Sequence, residues 1–525
     1  MRFWYFRTIR FPSFTVEMVD VSITLYFWFF TTAIICILLG VTYEYFKKRY
    51  RYWSDIGIPG PKPTFIVGNM KETLFLKCTE PEMTDEWYKD YRDKPYVGFY
   101  NFLKPSLFII DPELIRKITE VDFNHFIDHP PFSDAGHSDN DAIMYSLFTM
   151  NGENWKLKRS IFSKLFTPKK LREQVEIFNH RYSSLKEEIE GLSEGSKDAD
   201  LSKLVGRYIL MGFGTILYGI DLTKDEQLFE NLEKYSAMFL HPKFYTTLMF
   251  LFYTASPELF NYLRMKTFSS DFWDYFSPFT KKLLEYNKSP ENIYRSGLVS
   301  LISQNQDLDS PSAIGHREAV GHIFSFLSAS NHTTLTTVNY GLFLLAQHPQ
   351  VQDKLRDEVD RVMKKNEELT IENIQDMAYL DAVLNETMRL YPLLGILKRI
   401  CTKEYHVDDR LTIPKGTDIF IPVQSINMDP EYFQEPETFH PERFLNLEKL
   451  PSFFMPFGKG PRNCIGLRMA AISFKIAVAR IISDFIILPS PKTTLPIKFD
   501  RKALFITCTP EDGLWVKFQK RDIGQ

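Results

Sequence analysis

Residues 457–466 read Phe-Gly-Lys-Gly-Pro-Arg-Asn-Cys-Ile-Gly, one cysteine set among three glycines. Glycine lets a backbone turn tightly and come close to a flat ligand. An apolar run with helical character, 467–482, lies directly behind the loop. The N–H groups of the loop and of that helix start favour a thiolate at Cys464. Arg462 can pair with a carboxylate on the same ligand. A thiolate held in this way suits an iron centre, where its electron donation favours O–O cleavage. The other cysteines, Cys36, Cys78, Cys401 and Cys508, have no glycine neighbours and read as inert.

A body must position this loop, and the chain has ample length for one. It has 525 residues, 63 Lys plus Arg against 66 Asp plus Glu, and a net charge of −3. A composition of 44% hydrophobic and 25% charged residues argues against a disordered or collagenous chain, and the near-neutral charge against a dedicated nucleic-acid binder. Five scattered cysteines make neither a disulfide scaffold nor a zinc module. The 46 phenylalanines suit an apolar interior or cavity. Helical periodicity predicts helices over 171–190, 316–346, 350–365 and 380–391, the second ending before Pro349 and the last at Pro392. Short strand-like runs come next at 396–402, 405–407, 411–413 and 419–422, with more from Phe485 onward. The fold class is mainly α with small β-sheets, and no composition shift divides the body.

Residues 21–43 carry no charge. As a helix they would cover about 35 Å, enough to cross a bilayer. Lys47, Lys48, Arg49 and Arg51 come directly after, which places the C-terminal side in the cytosol by the positive-inside rule. The alternating prolines of Ile58-Pro59-Gly60-Pro61-Lys62-Pro63 read as a stiff link. We expect four segments: 1–20 an N-terminal extension, 21–43 the anchor, 44–63 a basic and proline-rich hinge, and 64–525 the catalytic domain. Arg2, Arg7 and Arg10, with no acid before Glu17, give the extension a transit-peptide character. The anchor behind it outweighs that reading.

The cysteine loop resembles the haem-binding signature of the cytochrome P-450 superfamily, Phe-x-x-Gly-x-Arg-x-Cys-x-Gly. Phe457, Gly460, Arg462, Cys464 and Gly466 occupy its five fixed positions. The resemblance implies the cytochrome P-450 fold behind one N-terminal transmembrane helix, and haem b with Cys464 as the axial metal ligand. It also implies a Glu–Arg–Arg network that supports the loop. Glu386-Thr387-Met388-Arg389, continuing into Leu390-Tyr391-Pro392, supplies the first two members, and Arg443 of Pro441-Glu442-Arg443-Phe444 the third. A second Glu-x-x-Arg, Glu358 to Arg361, reads as a solvated helix pair. Trp155, Arg159, Arg399 and Arg462 fall where the family contacts the haem propionates.

The long helix departs from the family. Where the family favours Ala-Gly-x-Asp/Glu-Thr-Thr/Ser, this chain reads Ala329-Ser330-Asn331-His332-Thr333-Thr334. Thr333 keeps the alcohol that holds water and relays protons to dioxygen. His332 stands in place of the acid and can shuttle protons near neutral pH. Ser330 replaces the glycine. The resemblance is to animal microsomal members, including insect detoxification and vertebrate drug-metabolising enzymes. It implies a monooxygenase that inserts one atom of O2 into a lipophilic small molecule. Electrons would come from NADPH through a flavoprotein reductase, with a cytochrome b-type protein as an additional donor. The enzyme would be held in the endoplasmic reticulum membrane with its body in the cytosol. Lys156, Lys158, Lys164, Lys169, Lys170, Lys459 and Arg468 form a candidate reductase-docking face. The departures leave open an electron-independent isomerase or dehydratase of peroxides, and a non-catalytic haem protein.

Overall fold

The computed structural model describes residues 14–130, 145–239, 244–266, 270–289, 297–307, 310, 312–364, 368–503 and 508–521. Arg2, Arg7 and Arg10, which carry the transit-peptide reading, lie outside these residues. The first helix, α1 (Phe14–Arg49), extends beyond the expected anchor at both ends. Its stretch Leu25–Arg49 is long and apolar enough to cross a membrane, with a mean hydropathy of 2.1 over its most apolar 18 residues.

The end of α1 and the segment after it pack against the body. The Phe46 ring lies 4.9 Å from Phe65. Tyr50 lies 5.0 Å from Tyr100 and accepts a 3.0 Å hydrogen bond from the Gly68 N–H. Trp53 is 3% exposed, and its indole N–H donates to the Phe99 carbonyl at 2.9 Å. Its ring covers Gly98, where an added Cβ would come within 2.3 Å of the indole. The segment expected as a hinge, 44–63, is therefore tied to the first sheet at Tyr50, Trp53 and Pro59.

That sheet contains β1 (Tyr96–Asn101) and β2 (Lys104–Ile109), joined antiparallel. A two-residue strand, β3 (Ala199–Asp200), belongs to a second sheet. After it come β4 (Leu397–Ile400), β5 (Tyr405–His406), β6 (Thr412–Ile413) and β7 (Asp418–Ile421). The last two are β8 (Phe485–Pro489) and β9 (Trp515–Lys520). The first sheet has the order β1-β2-β7-β4, with β2 and β7 parallel. The second is β3-β9-β8, and β5 pairs with β6 alone.

The helical body includes α2 (Glu80–Asp90), α3 (Gly152–Phe162), α4 (Pro168–Glu194) and α5 (Leu201–Phe213). It continues with α6 (Glu226–Ser236), α7 (Phe244–Ala255), α8 (Pro257–Tyr262) and α9 (Ser270–Lys288). Then come α10 (His316–Gln347), α11 (Pro349–Met363), α12 (Ala378–Leu390) and α13 (Leu467–Asp484). Helix α10 packs against α5, α9, α12 and α13. It has few charges beyond its first turn, as a helix surrounded on all sides requires. The expected helices and strands match within a few residues.

Two sequence readings need correction. Glu358 does not pair with Arg361. Its carboxylate accepts the Tyr379 and Leu380 N–H groups at 2.8 and 2.9 Å, capping the start of α12. Those N–H groups have no intrahelical acceptor, so a carboxylate there satisfies both and favours the helix dipole. Lys158 is not part of a docking face either. Its side chain is buried and its ammonium sits 2.8 Å from Glu318 on α10.

Candidate functional site

The cysteine loop turns through two positive-φ glycines, Gly458 and Gly460. Gly460 also passes so close to the Thr119 carbonyl that an added Cβ would lie 1.8 Å from its oxygen. A side chain at 460 would lift the loop from the segment beneath it. The Cys464 N–H donates to the Phe457 carbonyl at 2.8 Å, closing the loop before α13 begins. Phe457 is partly buried against the main core.

Cys464 has accessible surface although it lies deep in the fold, so its Sγ faces an internal cavity. Burial pushes its thiol up, against the opposing pull of the Gly466 N–H and the Arg159 guanidinium. A bound metal cation would favour the thiolate further. Space remains beside the sulfur. A Cβ at Gly466 would meet nothing nearer than the Phe166 ring at 3.6 Å and Sγ at 3.9 Å.

Three arginines gather near this cavity. Arg462 is buried and donates to the carbonyls of Ile127, Leu147 and Met150. Its guanidinium stacks 4.1 Å from the Trp155 ring. The Arg159 guanidinium lies 5.7 Å from the same ring and donates to Asn463 Oδ1 at 2.7 Å. Arg399, on β4, is buried and hydrogen-bonds His129 Nε2 at 2.9 Å. Burial lowers Arg399 to about 10, and burial with the neighbouring Arg399 charge lowers Arg462 to about 9. The carboxylate nearest Arg462 in ion-pair range, Asp128, stands 3.9 Å away. This corner holds more buried positive charge than its described carboxylates balance, which is the signature of an anion-binding site. Sequence reading missed His129 and Asn463; neither carries a local spacing signal.

The α10 side of the site is marked by accessibility. Past its first turn this helix is mostly buried, yet Ala329 is exposed, and Ser330 and Thr333 are half-buried. Residues 329 and 333 share one helical face. Thr333 Oγ1 donates to the Ala329 carbonyl at 2.5 Å. Ser330 Oγ is turned back to the Leu327 carbonyl at 3.1 Å. His332 is buried beside them.

Behind the loop, Glu386 and Arg389 are fully buried and form a two-point ion pair at 2.7 and 2.9 Å. Glu386 Oε1 also accepts from Arg443 Nε at 3.0 Å and from the His440 N–H at 2.9 Å. Arg389 finishes on the Asn427 and Thr438 carbonyls. The structure thus brings Glu386, Arg389 and Arg443 together as one satisfied network.

A family model described as Cytochrome P450 matches residues 58–516. The chain belongs to the cytochrome P450 family. It is 30% identical over 487 residues to probable cytochrome P450 6a13 of Drosophila melanogaster, covering 91% of this chain and 96% of that protein. It is 30% identical over 504 residues to cytochrome P450 3A9 of Rattus norvegicus, covering 94% and 97%. A similar likeness, 30% over 507 residues, holds to cytochrome P450 3A13 of Mus musculus. The P450 family fixes the broad activity, a haem-thiolate monooxygenase and so an oxidoreductase. The residues present fit a haem: a cysteine sulfur facing a cavity, a glycine that leaves room beside it, and a cluster of cations for two carboxylates.

Proposed function

We propose that this P450 inserts one atom of O2 into a lipophilic small molecule, xenobiotic, steroid or fatty-acid-like. Electrons come from NADPH through a flavoprotein reductase, with a cytochrome b-type donor as a second source. The observation that carries the reading is a Cys464 with accessible surface deep in the fold, together with a half-buried Thr333 on a mostly buried helix.

Bound here, haem would supply the reductive activation of dioxygen and the transfer of one oxygen atom to substrate. Cys464 Sγ would ligate its iron. Arg159, Arg399 and Arg462 would hold its carboxylates, and Trp155 would orient the last of these by stacking. Phe457, Gly460 and Gly466 shape the loop against it. Glu386, Arg389 and Arg443 fix the chain that carries the loop. Thr333 Oγ1 holds a water and passes a proton into the cavity. His332, one residue away and buried, is the outer relay.

A channel of about 140 Å³ reaches toward Arg399 and His129 and is lined by Leu76, Phe102, Phe148, Phe250 and Leu394 among others. Its mostly apolar wall suits a lipophilic substrate. Phe244, Tyr245, Leu248, Leu259, Tyr262 and Leu263 stand exposed on and after α7 and α8, a patch suited to contact with lipid. Residues 21–43 anchor the enzyme in the endoplasmic reticulum, and Lys47, Lys48 and Arg49 keep the body cytosolic.

A carbon monoxide difference spectrum of the reduced protein, then turnover with and without NADPH and reductase, tests this. The expected result is the Soret band of a thiolate-bound haem and NADPH-dependent product. Turnover of a hydroperoxide without electrons, and none with NADPH, would sink it.

A further inference from the structure

We propose that His129 is a positioning residue: a neutral acceptor that holds the Arg399 guanidinium toward the cofactor's carboxylates without cancelling its charge. The inference rests on the haem reading above. Arg399 is 2% exposed. Its Nη1 donates to His129 Nε2 at 2.9 Å and to the Lys398 carbonyl at 2.8 Å, while its Nε has no hydrogen-bond partner among the described residues. Among the described residues no carboxylate forms an ion pair with it.

A guanidinium only donates, so His129 Nε2 must carry a lone pair. The ring proton then sits on Nδ1, which faces the Phe148 carbonyl at 3.4 Å. Both ring nitrogens are thereby assigned and the ring is neutral. Burial and the charges of Arg399 and Arg462 act in the same direction, holding its pKa well below the ordinary histidine value. The backbone explains how the ring arrives here. Asp128 bridges antiparallel to Ile400, with the Ile400 N–H on the Asp128 carbonyl at 2.8 Å. That register brings residue 129 beside Arg399. Pro130 restricts residue 129 to extended backbone.

An aspartate or glutamate at 129 would hold Arg399 equally well, but it would neutralise the charge that attracts an incoming carboxylate. An apolar side chain would leave the guanidinium unheld. The two alternatives fail for opposite reasons, and this separates positioning from mere packing.

The test uses the full-length holoprotein and its His129→Gln, His129→Leu and His129→Glu variants. Each is first checked for the thiolate Soret band with carbon monoxide. The rate of haem transfer to excess apomyoglobin is then measured. Gln, a neutral acceptor, should lose haem within about twofold of wild type; Leu and Glu should lose it at least about tenfold faster. In an Arg399→Gln background the same three substitutions should make little further difference. A wild-type band with equal haem loss in all three variants overturns this inference alone, as does an undiminished effect in the Arg399→Gln background. A wild-type protein without the thiolate band overturns the haem reading, and this inference with it.

Discussion

Removing Trp53 should cost the catalytic body about 4 kcal/mol, although the residue stands in a segment that reads as a linker. Truncating a buried tryptophan to alanine costs about 3–5 kcal/mol. Trp53 is 3% exposed, covers Gly98 and donates to the Phe99 carbonyl at 2.9 Å. Gly98 brings no side chain to fill the gap, so the site collapses poorly and the central value applies. At about 1.4 kcal/mol per factor of ten, the ratio of folded to unfolded protein falls by nearly three powers of ten. Two truncated proteins make the comparison, one beginning at residue 44 and one at residue 58, with Trp53→Ala in the longer. Urea unfolding should show both altered proteins melting at clearly lower urea with an unchanged slope. If the chain beginning at 58 unfolds at the same urea concentration as the chain beginning at 44, the seam adds nothing and the reasoning fails.

Glu386→Gln should be harsher than its neutral size suggests, because it leaves Arg389 buried with half its partners; a loss of about 3–5 kcal/mol is expected, read as low haem content and early unfolding. Thr333→Ala should retain haem and substrate binding yet release hydrogen peroxide at the expense of product, each tenfold loss of product being about 1.4 kcal/mol; unaltered coupling refutes the relay. Charge reversal at Lys164 and Lys169, both exposed, should slow reduction and flatten its salt dependence, while an equal effect at neutral surface positions would remove the docking face. Asp429 gives a pH signature. Burial works against its charge, but Arg92, Tyr88 and the Glu431 N–H outweigh it and hold its pKa below the usual carboxylate value. A lowered folded pKa means stability present above the unfolded value of about 3.9 and lost as pH falls through the folded one. Asp429→Asn should flatten the acid limb of the stability profile below about pH 4, and an unchanged limb would exclude the cluster.

Signals carried by neighbouring residues were legible in the sequence. The Cys464 loop, the Glu386–Arg389 pair and the 32-residue α10 all announce themselves within a short stretch. Arg443 needed the family pattern, since nothing local links it to a glutamate 57 residues earlier. Long-range polar partners were not legible. Lys156 and Lys158 read alike on the page, yet Lys156 is exposed and Lys158 turns inward to Glu318 on α10. Periodicity locates a helical face but not which neighbour covers it. His129 escaped for the same reason: its meaning lies in Arg399, 270 residues away. The proline-rich stretch announces local stiffness, but the strand that fixes Trp53 lies far beyond it and was not legible there.

That seam turns α1 and the body into a single lever. A free helix longer than the hydrocarbon core of its bilayer relieves the mismatch by tilting, by kinking or by thickening the bilayer around it. Here Tyr50 is tied to Gly68, and Arg49 to the Leu103 carbonyl at 3.2 Å, so tilt at one end is rotation at the other. In a thinner membrane the helix would lean further and swing the whole body with it. The depth of Phe244, Tyr245 and Tyr262 in the headgroup layer would change together. Across a membrane, a change in bilayer thickness would reach the body through the foot of this helix.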